Sequence, residues 1–197
     1  MSSRDWILQR VRSNQPDARP LPTIPAFEQP TSASPFEAFV QALERMGGKV
    51  VTPAAGQALG EVVAGLFPQA GVIVSATPEL RGTRRIEVAV GAPAQLEDVD
   101  VGVVRAAFGV VETGSVFLSE REFVVNALGF LPQHLVVLLD PAALLPDLHH
   151  AYRQRGFFEA RYAALMTGPS ATADIEGVLI RGAQGIRSLT VIAAAAP

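Results

Sequence analysis

Cysteine is absent from this 197-residue sequence, and lysine occurs once, as Lys49. Without cysteine, the chain cannot form a disulfide, a thiol nucleophile, a cysteine-ligated zinc site or an iron–sulfur cluster of its own. Aromatic residues make up only 7% of the chain, so Ala, Val and Leu must supply most of the core. The sequence therefore predicts no cofactor bound by this chain itself.

Charge of either sign is also scarce, since charged residues make up 18% of the chain and the net charge is −3. This weakly acidic balance lacks the basic patch that nucleic acids and anionic membranes attract. No apolar run approaches the roughly 20 residues that cross a bilayer, and the charged start from Arg4 to Arg12 is unlike a signal peptide. Hydrophobic residues make up 49%, which predicts a globular protein with a buried core. Together with the charge balance and the absence of a membrane-spanning run, this predicts a cytoplasmic protein that contacts neither nucleic acid nor membrane.

The first 35 residues differ in composition from the rest. Residues 3–14 place Trp6, Ile7 and Val11 at spacings typical of a short helix. Six of the fifteen prolines then fall between positions 16 and 35, which indicates an extended arm. We predict an N-terminal helix and arm over 1–35 and one domain over 36–197. The arm could also dock on a neighbouring subunit and make the protein a homo-oligomer.

From residue 36 onward, short helical and strand patterns alternate. This order is typical of a layered α/β domain, and we predict a three-layer α/β/α fold with a mixed, mostly parallel sheet. The segment 110–118 is hairpin-like and introduces the antiparallel part. Helices are predicted over 36–46, 54–67, 142–155 and 173–181, and strands over 49–52, 71–75, 84–90, 100–104, 110–118, 135–139, 162–166 and 188–193. Pro146 should confine the regular part of the helix over 142–155 to its later turns.

The strong catalytic and nucleotide-binding motifs are missing. The chain has no G-x-G-x-x-G, no G-x-x-x-x-G-K-[ST], no H-E-x-x-H and no G-x-S-x-G. Nothing in the sequence therefore assigns it to the dinucleotide oxidoreductases, P-loop NTPases, zincins or α/β-hydrolases.

The first candidate site segment is Glu112-Thr113-Gly114-Ser115, which interrupts a strand-like run. A glycine inside a strand marks a bend or a close approach of another group. A carboxylate beside two hydroxyls could there act as a base, a nucleophile or a hydrogen-bond acceptor for a ligand. The alternative is an ordinary turn in which Thr113 and Ser115 satisfy backbone groups.

The second candidate segment spans residues 167–176 and joins a predicted strand to a predicted helix. Ligands often bind at this position in α/β sheets, and an anion could lie at the helix N-terminus. Alternatively, the polar side chains cap the helix and complement its dipole. The candidate ligand-binding residues here are Gly168, Ser170, Thr172, Asp174 and Glu176.

Three histidines occur, and only His134 is a site candidate. It precedes the predicted strand 135–139, so we expect it at the strand entrance, either as a structural residue or beside a ligand. His149 and His150 are adjacent on a predicted helix and diverge, so they cannot chelate one metal ion. We therefore predict no metal site.

Four segments in this order resemble the LUD domain of lactate utilization protein C, the LutC/YkgG family. They are Asp100-Val101-Gly102-Val103, Glu112-Thr113-Gly114-Ser115, Leu131-Pro132-Gln133-His134 and the most specific one, 168–176, and the resemblance runs from about residue 36 to 193.

This resemblance implies the fold of ribose-5-phosphate isomerase, glucosamine-6-phosphate deaminase and the CoA transferases (the NagB/RpiA/CoA transferase-like fold). It also implies a part in oxidising L-lactate to pyruvate with iron–sulfur partner proteins encoded nearby. Because this chain has no cysteine, those partners would hold the clusters. One departure is Gln184, where the family commonly has the histidine of a Gly-x-His-Gly-Pro segment. Its absence removes a candidate acid–base group.

Three functions follow as alternatives. The leading one is an accessory subunit that binds a small carboxylate, a phosphate or a partner protein through the two segments. The second is an enzyme that uses Glu112 as nucleophile or base on an acyl or sugar-phosphate substrate. The third is a purely structural oligomer.

Overall fold

The computed structural model describes residues 2–25, 34–86, 93–174 and 176–197. Two of its helices have 11 residues and one has eight, and three shorter helices follow in the second half of the chain. None of these described helices has both the length and the apolar character that crossing a membrane requires. The helices are α1 (Ser3–Ser13), α2 (Pro35–Arg45), α3 (Leu59–Leu66), α4 (Glu120–Phe123), α5 (Leu148–Ala151) and α6 (Arg155–Glu159).

Twelve strands occur in the described ranges, and six of them form a central sheet with the order β1-β12-β7-β4-β2-β3. Every neighbouring pair in this sheet is parallel. The strands are β1 (Lys49–Val51), β2 (Ile73–Ser75), β3 (Arg84–Arg85), β4 (Val101–Arg105), β5 (Phe108–Val110), β6 (Ser115–Ser119), β7 (His134–Leu139), β8 (Leu144–Leu145), β9 (Ala163–Met166), β10 (Ala171–Thr172), β11 (Ile180–Arg181) and β12 (Ser188–Ala193).

The antiparallel pairing lies outside the central sheet. Strands β5 and β6 form a hairpin within a second sheet of order β8-β5-β6-β9, in which only the β5–β8 pair is parallel. Strands β10 and β11 form a separate two-stranded hairpin. The predicted mixed, mostly parallel α/β architecture is confirmed, and the hairpin predicted over 110–118 belongs to the second sheet.

Alternate side chains of the central strands point to opposite faces of the sheet, as the period of a strand requires. On one face, Val136 and Leu138 of β7 pack in the cluster that includes Val62 and Val63 of α3. On the other face, the intervening β7 residues pack with Phe39 and Leu43 of α2 and with apolar residues of β6. The central sheet is therefore covered on both faces.

Helix α2 forms where the sequence predicts it. The Ser34 hydroxyl accepts the Glu37 N–H at the N-terminus, and Pro35 occupies the first turn, where its missing N–H costs nothing. Gly47 follows the helix with φ +90°, which favours glycine. The next helix is shorter than predicted over 54–67, because Gly56, with φ +77°, lies in a turn before Leu59.

The helix predicted over 142–155 forms only in part. Leu144 and Leu145 are instead strand β8 beside β5, and Pro146 interrupts the chain before α5 begins at Leu148. A proline inside a helix removes a hydrogen bond and clashes with the preceding turn, so the regular helix starts after it.

The helix predicted over 173–181 is wrong. Residues 171–172 and 180–181 pair as the β10–β11 hairpin, and Glu176 and Gly177 have φ +57° and +68° at its turn. The apolar residues Val178 and Leu179 remain more than half exposed, so they pack against no core that would stabilise a helix here. Of the strand predicted over 84–90, β3 covers Arg84–Arg85, while residues 87–90 lie outside the described ranges, as does Ile175.

Helix α1 agrees with its prediction and buries none of its residues. Ser2 and Asp5 form a reciprocal capping box at its N-terminus. The division into an arm over 1–35 and a domain over 36–197 stays a prediction.

Candidate functional site

Glu112 lies in the turn of the β5–β6 hairpin, and its exposed side chain contacts α5. Its Oε2 atom accepts the N–H of Leu148 at 3.0 Å, and its own N–H donates to the carbonyl of Pro146 at 3.1 Å. Both contacts satisfy backbone groups around the start of α5. The carboxylate predicted as a nucleophile or base thus joins the hairpin to α5, and it lines neither of the two larger cavities of the domain.

The other residues of this segment pack beneath α2. Gly114 has φ +64°, and a Cβ atom there would overlap the backbone of Leu43. Ser115 is buried in β6 opposite Val110. The Thr113 hydroxyl is buried and has no hydrogen-bond partner among the described residues.

The second segment approaches the first at a single residue. The Thr167 hydroxyl donates to the carbonyl of Gly114 at 3.0 Å. Beyond it the chain turns away, because Gly168 lies against the carbonyl of Met46 and the Ser170 hydroxyl donates to the carbonyl of Gln184.

Gly168, Ser170 and Gln184 line a cavity of about 240 Å³. Thr172 is half-buried in β10, while Asp174 and Glu176 are exposed at the turn of the β10–β11 hairpin. Without a helix here, the predicted capping and helix-terminus roles do not arise. The two candidate segments touch, and the cavity beside Gly168 and Ser170 is lined by no residue of the segment 112–115.

His134 lies elsewhere, at the amino end of β7. The imidazole is half-buried and tilted against Phe67, with ring centroids 4.7 Å apart, and Nδ1 lies 2.7 Å from the Ser188 hydroxyl oxygen. Burial and the positive charge of Arg187 lower the pKa of His134, against an opposing effect of Asp100, and so favour the neutral imidazole. It faces a cavity of about 520 Å³, here called the amino-end cavity.

A second large cavity lies at the opposite end of the sheet, between neighbouring strands from which the chain leaves in opposite directions. After β2 the chain forms β3 on one side, and after β4 it returns as β7 on the other. Ligands bind at such a switch point in open α/β sheets, because the diverging connections leave a crevice at the carboxyl ends of the strands. This carboxyl-end cavity measures about 460 Å³ and is lined by residues 76–79, 105–107, 121–122, 140, 143 and 196–197.

An ion pair joins the loop after β2 to the last residue of β4 at the switch point. Arg105 donates from Nε to Glu79 Oε2 at 2.7 Å and from a terminal nitrogen to Oε1, and the Thr77 hydroxyl donates to the same carboxylate at 2.5 Å. The two charged side chains are only 19% and 14% exposed. The hydrogen bond from Arg105 lowers the pKa of Glu79, despite an opposing effect of burial.

The rim of the carboxyl-end cavity is tied to the last residues of the chain. Arg105 donates to the carbonyl of Ala194 at 3.1 Å, and Asp140 accepts the N–H of Ala196 at 3.0 Å. Hydrogen bonds from the Ala196 and Ala142 N–H groups lower the pKa of Asp140. Small apolar side chains, including Ala76, Ala106 and Ala143, form much of the remaining surface. Such a cavity, with few polar groups at fixed positions, suits a small molecule.

No sequence motif points to this cavity, although a weaker signal is present. Glu79, Arg105 and Asp140 each follow a strand that was predicted, and the carboxyl ends of parallel strands lie together. In the described ranges, no three His, Asp or Glu side chains lie close enough together to hold a metal ion.

Comparison with known proteins supplies the family. Residues 86–193 match the sequence model of the LUD domain. The uncharacterized protein YkgG of Escherichia coli K12 is 32% identical over 97 residues, which are 46% of this chain and 42% of that protein. The uncharacterized protein NMB1437 of Neisseria meningitidis serogroup B is 29% identical over 99 residues, 49% of this chain and 42% of that protein. The chain thus spans well under half the length of these curated relatives.

A solved structure agrees with the fold. The crystal structure of a DUF162 family protein from Deinococcus radiodurans superposes with a TM-score of 0.64, over 83% of this chain and 99% of that one, at 17% sequence identity. At this identity the likeness concerns the fold alone. The LUD match, in contrast, covers more than half of the sequence, and the chain belongs to the LUD domain family.

Proposed function

We propose that this chain is an accessory, ligand-binding subunit of an L-lactate utilisation system in the cytoplasm. Membership of the LUD domain family and the similarity to YkgG support the assignment to this system. Iron–sulfur partner proteins would hold the clusters and carry the electrons, since this chain has no cysteine.

The observation that carries the ligand-binding role is the carboxyl-end cavity. Its volume of about 460 Å³ falls in the range of small-molecule sites, and it lies where an α/β topology leaves its crevice. The Glu79–Arg105 pair joins the loop after β2 to the end of β4 at this switch point. A polar end of a ligand would meet this pair, and its apolar part would meet the alanine side chains.

Reconstitution of this chain with its iron–sulfur partner proteins tests the proposal. L-lactate-dependent reduction of a dye is measured with the chain, without it, and with the double variant Glu79→Gln, Arg105→Gln. Omission and the double variant are both expected to lower the rate. An unchanged rate without this chain would contradict the accessory role.

A matched ion pair provides the control. Arg84 and Asp98 bond at 2.8 Å on the surface, and neither residue lines the carboxyl-end cavity. The variant Arg84→Gln, Asp98→Asn removes the same charges and should leave the rate unchanged. Amide shifts of Ala106 and Ala107 on titration with L-lactate or pyruvate give a second readout, and their absence with both compounds would contradict binding in this cavity.

The enzymatic alternative gains no support from the contacts of Glu112. Its carboxylate accepts the Leu148 N–H and lines neither larger cavity, as a structural carboxylate does.

Self-association through the N-terminal arm is a separate proposal. Trp6, Ile7 and Val11 are each more than half exposed on α1. Packing against another copy would remove this apolar surface from water. Light scattering should give a lower mass for Trp6→Gln, Val11→Gln than for the unaltered chain, while Arg4→Gln should leave the mass unaltered.

A further inference from the structure

The amino-end cavity lies at the other end of the central sheet and has a different character from the carboxyl-end cavity. It is lined where β1, β4, β7 and β12 begin, and the last turn of α3 with residues 67–70 closes one side. The lining residues include Lys49, Asp100, His134, Arg187 and Ser188.

The register of the sheet explains why polar side chains meet here. His134 lies opposite Ser188, and Lys49 lies opposite Thr190, two residues further along β12. These positions belong to the rows that face α3, because Val136 of the same strand packs in the cluster with α3. At the amino end of these rows, polar side chains replace the apolar ones.

The cavity has an excess of positive charge. Lys49 and Arg187 form no ion pair with any residue in the described ranges. Asp100 is the one acid that lines the cavity. Its carboxylate is hydrogen-bonded to the backbone, since Oδ2 accepts the N–H groups of Gly71 at 2.7 Å and Val72 at 2.9 Å. Two cations therefore face the cavity against one carboxylate that is held in place.

His134 and Ser188 add neutral hydrogen-bonding groups between the cations. The 2.7 Å contact between them occupies Nδ1 of the imidazole, and the tilted contact with Phe67 restricts the orientation of the ring. When Nδ1 accepts the Ser188 proton, Nε2 carries its own hydrogen and is a donor.

We infer that the amino-end cavity is an anion site for a small phosphate or carboxylate, held by Lys49 and Arg187 and oriented by His134. Charge-assisted hydrogen bonds from ammonium and guanidinium groups are the strong contacts that such oxyanions make in proteins. The site is separate from the carboxyl-end cavity and does not depend on a role in lactate utilisation.

Titration with two probes tests this inference on the full-length protein. Inorganic phosphate and pyruvate are added separately at constant ionic strength while calorimetry and the imidazole NMR signals of His134 are followed. Saturable binding of phosphate alone indicates a phosphate site, and binding of pyruvate alone or of both indicates a carboxylate-accepting site. No saturable binding of either anion at millimolar concentration would overturn the inference.

Charge variants separate a built site from general attraction. The variant Lys49→Gln, Arg187→Gln should weaken binding at least about tenfold, because it removes both charged donors. The control Arg81→Gln, Arg153→Gln removes two exposed arginines that do not line the cavity and should leave affinity unchanged. Equal weakening by both double variants would mean non-specific attraction and would overturn the inference.

The imidazole gives a readout that a merely structural role would not produce. A bound anion offsets the positive charge of Arg187, so the pKa of His134 should rise on binding. The other charged groups that line this cavity are Lys49 and Asp100. In His134→Gln, which retains a side-chain donor, affinity should fall less than in the double charge variant. An unchanged pKa of His134 at saturation would place the anion elsewhere.

Discussion

Thr167 donates its hydroxyl hydrogen to the carbonyl of Gly114 at 3.0 Å, across 53 residues of sequence. This contact joins the loop after β9 to the β5–β6 hairpin beneath α2. It is also the point where the two segments singled out from the sequence meet. Their joint role at this point is to hold the fold together, since backbone carbonyls and a buried hydroxyl make the contact.

Two threonines at this junction should respond oppositely to the same substitution. Thr167→Val leaves the Gly114 carbonyl without its partner and should lower the free energy of unfolding by about 1 kcal/mol. Thr113→Val removes a buried hydroxyl that bonds to no described residue, and it should leave stability unchanged or raise it by up to about 1 kcal/mol. Urea denaturation measures both values. A loss of stability in Thr113→Val equal to that in Thr167→Val would show that this hydroxyl has a partner.

The glycines at the junction are predicted to be irreplaceable for steric reasons. A Cβ atom at Gly114 would overlap Leu43, and one at Gly168 would overlap Met46, while both residues have positive φ. We expect each alanine variant to cost about 2–4 kcal/mol, from the left-handed backbone and the overlap together.

Gly56 separates the two contributions to the cost at these glycines. Its φ is +77°, and no heavy atom lies within 4 Å of an added Cβ. Gly56→Ala should therefore cost only about 1–2 kcal/mol, the value for the left-handed backbone alone. Thermal unfolding of the three variants gives the comparison, and equal losses in all of them would exclude the steric contribution.

Glu112 is expected to matter for stability rather than for chemistry. Its side chain satisfies the Leu148 N–H at the start of α5, so Glu112→Ala should destabilise the protein by about 1 kcal/mol. Glu112→Gln retains an acceptor oxygen and should lose less. Exposed Glu97 is a control, since none of the side-chain contacts described above involves it. Full stability of Glu112→Ala together with loss of lactate oxidation would favour the enzymatic alternative instead.

The central strands could be predicted because strands that are buried on both faces are continuous runs of apolar residues in the sequence. The run 135–139 is an example, and all of its side chains are buried. The segment 173–181 could not be predicted in this way, because its apolar residues have helical spacing in the sequence, whereas Val178 and Leu179 lie exposed on a hairpin. The spacing of apolar residues indicates which side chains could lie on one face of a helix. It does not indicate whether the rest of the domain offers a surface against which that face can pack.

The candidate site shows the same limit. His134 was expected at a strand entrance, and it lies at the start of β7. Its neighbours Lys49, at the start of β1, and Arg187, directly before β12, are far apart in sequence, and only the order of the sheet brings them together. Glu79 and Arg105 were missed because neither belongs to a motif, and their pairing depends on the neighbouring positions of β2 and β4.

The Glu79–Arg105 pair should make stability depend on pH at the acidic end. Folding lowers the pKa of Glu79 below its ordinary value of 4.5, chiefly through the hydrogen bond from Arg105. A carboxyl with a lowered pKa stabilises the folded state fully above its ordinary pKa, and this stabilisation is lost as the pH falls through the lowered value. Between pH 7 and pH 3, Glu79→Gln should therefore lose less stability than the unaltered chain.

The exposed pair Arg84–Asp98 is the internal comparison for this pH dependence. Its aspartate also has a lowered pKa because of Arg84, but both side chains are well exposed, and solvent screens such pairs. Asp98→Asn should consequently change the acid dependence less than Glu79→Gln does. Urea unfolding at a series of pH values measures both slopes. If the two variants flatten the pH profile of stability equally, partial burial adds nothing to the Glu79–Arg105 interaction.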